Sequence, residues 1–188
     1  MSKKYIVIPA WLLIALATGL WAWRYFDRDN HPIPTRGGEA FNKAAPSTAS
    51  YLQHDPEWAN ETIGGSRETL GQAGDAVCCI AMALDYHGIK LSPADLNNRL
   101  KGSHGYDRHG RVKWEALSGI TDGLIIVDHP RNPSFENIDT ALANSELVIA
   151  RVLLPGPLNH WVLIVGKENT EYLVRDPLDD HRGLKKLS

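Results

Sequence analysis

The chain has 188 residues, enough for one compact domain and a short additional segment. Its composition, 43% hydrophobic and 22% charged, is that of an ordinary globular protein, and the formal net charge of −2 gives no electrostatic reason to expect nucleic-acid binding. The two cysteines, Cys78 and Cys79, are adjacent, so they predict neither a disulfide framework nor a zinc site. We expect no metal and no cofactor.

The N-terminal stretch is apolar and predicts a membrane anchor. An uncharged run, Tyr5 to Trp23, follows a lysine pair, and a membrane-spanning helix needs roughly 20 mostly apolar residues. The positive-inside rule places the lysines in the cytoplasm and the rest of the chain on the extracytoplasmic side, which is the periplasm in a bacterial inner membrane. A cleaved signal peptide is the alternative, but the bulky Leu20 and Trp21 follow its small-residue site. We therefore expect residues 1–29 to be an uncleaved, single-pass anchor.

A change of composition after residue 29 predicts a flexible linker. Residues 30–50 are rich in Pro, Gly, Ala, Ser and Thr and show no apolar periodicity. We expect them to tether a folded domain of residues 51–188.

The first strong helical pattern of that domain starts at Asp75. Four apolar residues share one helical face: Val77, Ile80, Ala81 and Leu84. Asp75 is a good N-cap and Gly88 a good stop. A helix N-terminus carries partial positive charge and lowers the pKa of a thiol placed there, but the residue at this point is an aspartate.

The remaining elements predict helices first and an antiparallel sheet afterwards, which is an α+β domain. A helix begins at Ser92, where Pro93 and Asp95 complete a capping box. Further on we predict a short helix, a strand and a helix: Val112–Gly119, Gly123–Val127 and Asn137–Asn144. Three β-rich runs predict a meander: Leu147–Leu153, His160–Val165 and Glu171–Arg175.

Two polar residues at the ends of these strands suggest a catalytic pair. His160 begins one strand, and Asp176 ends the next. Neighbouring antiparallel strands can set them side by side, so that the carboxylate orients the imidazole. This is the base-and-orienter half of a cysteine hydrolase.

Four stretches together resemble a known family. They are LQHDPEWAN, GGSRETLGQAGDAVCCIAMALDYHGIKLSPADLNNRL, NHWVLIVG and YLVRDPL. They are similar to the papain-like peptidases of cysteine peptidase family 39, whose founding members process double-glycine leaders of bacteriocins, and most similar to their stand-alone peptidase-like relatives. The resemblance covers Leu52 to Leu178. It implies a papain-like fold with His160 as base and Asp176 as its orienter.

The resemblance also places the family's nucleophile at position 75, where this chain has aspartate. A carboxylate is a weak attacker of an amide and would form an anhydride. Cys78 and Cys79 lie roughly 4.5–6 Å further along the helix axis. They are either packed in the core or, if the helix is shifted, substitute nucleophiles. For an oxyanion hole, Gln53 and Gln72 are the candidates.

Three functions follow from this pattern. The first is a membrane-anchored, peptidase-like domain that has lost catalysis and binds an extended peptide or a partner protein. The second is an active cysteine peptidase that uses Cys78 or Cys79 with His160 and Asp176. The third is a structural interaction module of an envelope complex.

Overall fold

The computed structural model describes residues 32–130, 133–154, 159–179 and 182–187. The chain divides into two compact units, and the fold below belongs to the unit formed by Pro34–His129 and Phe135–Ser188. The predicted anchor, Tyr5 to Trp23, lies outside the described residues. Among the helices that are described, none has the length and apolar character needed to cross a membrane.

The domain is of the mixed α+β type, as predicted, with helices preceding most of an antiparallel sheet. The helices are α1 (Leu70–Ala73), α2 (Asp75–Tyr86), α3 (Pro93–Gly102), α4 (Ala116–Ile120) and α5 (Phe135–Ala143). The strands are β1 (Arg36–Lys43), β2 (Val148–Leu153), β3 (Asn159–Arg175) and β4 (Lys185–Lys186). The predicted capping box is confirmed, because Ser92 caps α3 and Asp95 reaches back to it.

Strand β3 organises the sheet, since β1, β2 and β4 all pair with it in antiparallel fashion. A straight strand of its 17 residues would span about 56 Å. His160, near the start of β3, nevertheless contacts Asp176, the residue after its end. His160 Nε2 lies 2.6 Å from Asp176 Oδ1. The chain therefore doubles back within β3. Asn169, with φ of 54°, lies in the stretch where the sequence predicts the meander's turn.

Helix α2 lies at the centre of the domain and is buried on most of its circumference. Val77, Ile80 and Leu84 belong to a core cluster shared with α3 and α4. On another side, Cys79 and Met82 pack against Leu163 and Val165 of β3. Because α2 contacts both the helical cluster and the sheet, its N-terminus is held close to the ends of β3.

A buried ion pair fixes β1 and α5 to β3. Lys167 Nζ lies 2.6 Å from Asp139 Oδ1 and sits over the rings of Phe41 and Tyr172. The same carboxyl group accepts hydrogen bonds from the Tyr172 hydroxyl and from the backbone N–H of Glu39. A buried charge is tolerated when it is paired in this way.

The linker prediction is wrong for much of residues 30–50. Strand β1 pairs with β3 from Arg36 to Lys43, and the backbone N–H of Ala49 donates to Asp85. Backbone pairing with β3, the hydrogen bond from Glu39 to Asp139 and the contact of Phe41 with Lys167 hold the segment in place without apolar alternation. The domain therefore begins before residue 51.

The predicted strand at Gly123–Val127 is also wrong, since no described strand pairs with it. Leu124 and Ile126 are exposed, whereas Ile125 and Val127 pack against the core cluster of α2. The in–out alternation that predicts a strand is thus present. The hydrogen-bonded neighbour that would complete the strand is missing from the part of the chain that the structure describes.

Removing Lys167 should destabilise the domain strongly. Lys167→Met leaves Asp139 buried without its counter-charge, and breaking a buried pair costs about 3–5 kcal/mol. Lys186→Met removes an exposed pair to Glu171, which solvent screens, and should change the free energy of unfolding far less. Urea unfolding monitored by circular dichroism measures both. Equal losses in the two variants would show that β1 and α5 do not depend on the buried pair.

Candidate functional site

The site begins at the tight junction between α1 and α2. A Cβ at Gly74 would lie 2.4 Å from the carbonyl oxygen of Leu70, so only glycine fits there. Gly74 is the N-cap of α2, and Asp75 is its first helical residue. The prediction that Asp75 is the N-cap is therefore corrected by one position. Its carboxylate still lies at the positive end of the helix, where a negative charge is stabilised.

The Asp75 carboxylate joins the start of α2 to the start of β3. Asp75 Oδ2 lies 2.9 Å from His160 Nδ1 and accepts the backbone N–H of Trp161, also at 2.9 Å. Asp75 Oδ1 accepts the N–H of Ala76 at 2.8 Å. The side chain is 15% exposed, so solvent reaches only its edge.

His160 lies between two carboxylates. Its Nδ1 faces Asp75, and its Nε2 lies 2.6 Å from Asp176 Oδ1. The ring is 2% exposed. A neutral imidazole has one N–H and would turn a lone pair towards one of the carboxylates. Both contacts are hydrogen bonds only when the ring carries a proton on each nitrogen, so the geometry favours the imidazolium.

The same surroundings set the protonation of His160. Burial alone would lower the pKa of the imidazole. The hydrogen bonds and negative charges of Asp176 and Asp75 outweigh burial and raise this pKa to about 9. At neutral pH the ring is therefore a buried cation, and it has no free nitrogen with which to accept a proton.

Lys185 is a fourth member of the cluster that the sequence did not reveal. Its Nζ lies 2.5 Å from Asp176 Oδ2, and the backbone N–H of Leu178 donates to Asp176 Oδ1. Burial would raise the pKa of Asp176, but the hydrogen bonds from His160, Lys185 and Leu178 hold it well below its usual range. The only sequence signal is that Lys185 is followed by Lys186, and such a pair is typical of a solvated surface.

The two cysteines pack in the core and do not face His160. Both are fully buried, and Cys79 Sγ donates to the backbone carbonyl of Trp161 at 3.4 Å. Burial, with the negative charge of Asp75 as a further cause, raises the pKa of both thiols above the ordinary cysteine value. Both thiols therefore stay protonated, which makes them poor nucleophiles.

The two glutamine candidates have different surroundings. Gln72 is exposed, and its side chain accepts the backbone N–H of Thr69 at the start of α1. Gln53 is buried beside the site: its Nε2 donates to the Gly71 carbonyl, and its backbone N–H donates to the Pro177 carbonyl. Its Oε1 is buried with no partner among the described residues. Of the two, Gln53 is the one held near Asp176.

The structure thus brings Asp75, His160 and Asp176 together and leaves Cys78 and Cys79 in the core. The cluster alternates in charge from Asp75 through His160 and Asp176 to Lys185. It can hold a proton firmly but cannot generate a thiolate. Among the described residues, no group of three His, Cys, Asp or Glu side chains is placed to bind a metal. Comparisons of the chain with protein-family models, curated proteins and solved structures found no match.

The stability of the domain should fall at alkaline pH because of His160. Its folded pKa of about 9 is above the value of about 6.5 for an unfolded histidine. The ion pairs therefore stabilise the fold fully below about pH 6.5, and this contribution, about 3 kcal/mol, is lost as pH rises through 9. Urea unfolding between pH 6 and 10 measures the change.

Two controls accompany this measurement. His160→Gln should remove most of the pH dependence in this window, and His109→Gln, in an exposed loop, should leave it unchanged. An NMR titration of the His160 ring in the wild-type protein gives the same pKa if the Gln variant does not fold. A ring that titrates near 6.5 would contradict the paired imidazolium.

Both native thiols should resist alkylation. Because Cys78 and Cys79 are buried and protonated, iodoacetamide at pH 8 should modify them only in unfolded protein. Mass spectrometry before and after addition of urea checks this. Rapid modification of either thiol in the folded protein would show an accessible, reactive cysteine instead.

Proposed function

We propose that this chain is a membrane-anchored, papain-like peptidase domain that has lost its nucleophile and binds an extended peptide or partner protein without cleaving it. One observation supports the loss of catalysis above all. The atom facing His160 Nδ1 at 2.9 Å is a carboxylate oxygen of Asp75. In a peptidase of family 39, this position after the helix-entry glycine belongs to the cysteine.

The chemistry of the cluster supports the same conclusion. A cysteine peptidase needs a thiolate that attacks the peptide carbonyl and an imidazolium that protonates the leaving amine. Asp75 supplies the negative charge of the thiolate but not its nucleophilicity. Attack of its carboxylate on an amide would give an anhydride, which is less stable than the amide. The raised pKa of His160 also makes its imidazolium a weak acid. The site thus keeps an ion pair with His160, as a cysteine peptidase has, but lacks the nucleophile for peptide cleavage.

The competing proposal is catalysis by Cys78 or Cys79. It requires α2 to shift along its axis and rotate until one thiol replaces Asp75 beside His160. Such a shift would break the bonds from Asp75 to Trp161 and from Cys79 to the Trp161 carbonyl. It would also leave the Asp75 charge without its buried counter-ion. These costs favour the non-catalytic function.

The peptide-binding part of the proposal rests on the resemblance, because the family's substrates are extended segments of polypeptide. The membrane part rests on the apolar run from Tyr5 to Trp23. Fractionation of cells that express the full-length chain tests it, and recovery of the uncleaved protein in the soluble fraction would contradict it.

Asp75→Cys should restore a reactive thiol. The variant places sulfur beside an existing imidazolium and orienting carboxylate, which lowers the thiol pKa below its free value. At pH 6 we expect alkylation about tenfold faster than that of a free cysteine, together with weak cleavage of peptides. The wild-type protein and Asp75→Ser should show no thiol-dependent cleavage.

The double variant Asp75→Cys with His160→Gln is the matched control, and its thiol should return to ordinary reactivity. The proposed site fails if the Asp75→Cys thiol titrates like free cysteine whether or not His160 is present. The non-catalytic proposal fails if the wild-type protein cleaves peptides and Cys78→Ala or Cys79→Ala abolishes that cleavage.

A further inference from the structure

Residues 124–128, which we call the open segment, have the features of a strand but no strand beside them in the described part of the chain. The segment follows a turn in which the N–H groups of Leu124 and Ile125 donate to Thr121. After that point no hydrogen bond to protein is made by the N–H groups of Ile126, Val127 and Asp128, nor by the carbonyls of residues 124–128, in the described part of the chain. A row of backbone donors and acceptors is thus unpaired.

The side chains of the open segment alternate as they do in a sheet. Ile125 and Val127 pack against the core cluster of α2, which holds the segment to the body of the domain. Leu124 is 74% exposed and Ile126 is 86% exposed, which makes them the most exposed of the large apolar side chains described. Asp128 follows at the next outward position and is also exposed. The outward-facing side chains of the segment are therefore two apolar residues followed by an acidic one.

We propose that the open segment is a docking edge that pairs with an extended peptide, which adds to the domain as a strand. Main-chain hydrogen bonds to alternate residues within 126–128 supply affinity in this mode of recognition. Apolar side chains at alternate peptide positions lie next to Leu124 and Ile126, since cross-strand neighbours on one face are about 5 Å apart. The proposal rests on the proposed function in one respect: the partner is an extended polypeptide.

Charge selects the occupant of this edge. Exposed carboxylates flank the two apolar side chains, with Asp122 in the preceding turn and Asp128 at the far end. A second copy of the chain fits poorly. Parallel pairing of two copies sets Asp128 opposite itself, and like charges facing each other are destabilising. Antiparallel pairing centred on Ile126 sets Asp128 opposite Leu124, so neither orientation gives Asp128 a basic partner. A peptide with basic residues on both sides of its apolar pair satisfies the same edge.

The probe is a fluorescein-labelled peptide, Lys-Thr-Val-Thr-Val-Thr-Lys, titrated with the full-length chain in detergent and followed by anisotropy. We expect saturable binding, slower amide exchange at alternate residues within 126–128, and about tenfold weaker binding to the double variant Leu124→Thr with Ile126→Thr. Asp128→Asn should reduce the protein's preference for this Lys-ended peptide over the same peptide with Glu at both ends. Leu153→Thr is the matched control, because Leu153 is 64% exposed but its backbone is paired in β2, and binding should be unchanged.

Three results would overturn the proposal. The first is an absence of binding and of exchange protection at millimolar peptide. The second is equal binding of the Glu-ended peptide or of a probe with N-methylated valines, since this would indicate apolar adhesion without strand pairing. The third is concentration-dependent dimerisation of the protein that Ile126→Thr abolishes, which would make a second copy the occupant. The reactivity of Asp75→Cys is measured separately, so failure of the docking edge and failure of the proposed function give different results.

Discussion

The protonated His160 ring between Asp75 and Asp176 is the constraint on which the arrangement of the domain depends. A buried cation is stable only when charges and hydrogen bonds compensate for its lost hydration. The partners come from the start of α2, the beginning of β3 and the residue after the end of β3, and Lys185 is added from β4. The chain must therefore double back within β3 and bring α2 against its ends.

Helix α2 holds β3 at two points one turn apart. Asp75 accepts the N–H of Trp161, and Cys79, four residues later on the same helical face, donates to the Trp161 carbonyl. This second contact gives Cys79 a structural role that requires a protonated, buried thiol. The features that make the thiol useful for packing are those that make it unsuitable for catalysis.

The sequence predicted the site better than its surroundings. The glycine junction before Asp75 and the strand positions of His160 and Asp176 are local patterns, and the structure brings these three side chains together. Lys185 could not be foreseen, because its contact with Asp176 depends on where the short strand β4 pairs with β3. The role of Gln53 likewise depends on contacts with Gly71 and Pro177, which are distant in sequence.

The two failed strand predictions have a common cause, since pairing depends on neighbours as well as on a segment's own residues. Strand β1 has the composition of a linker, yet Asp139 accepts the N–H of its Glu39, and the strand pairs along β3. Residues 124–127 have the alternation and β-branched content of a strand, yet no described strand lies beside them. Their inward side chains are partly buried against the α2 cluster, so packing holds the segment in place without a ladder. A strand that is already held in shape has little conformational entropy left to lose on pairing, which favours addition of a further strand at this edge.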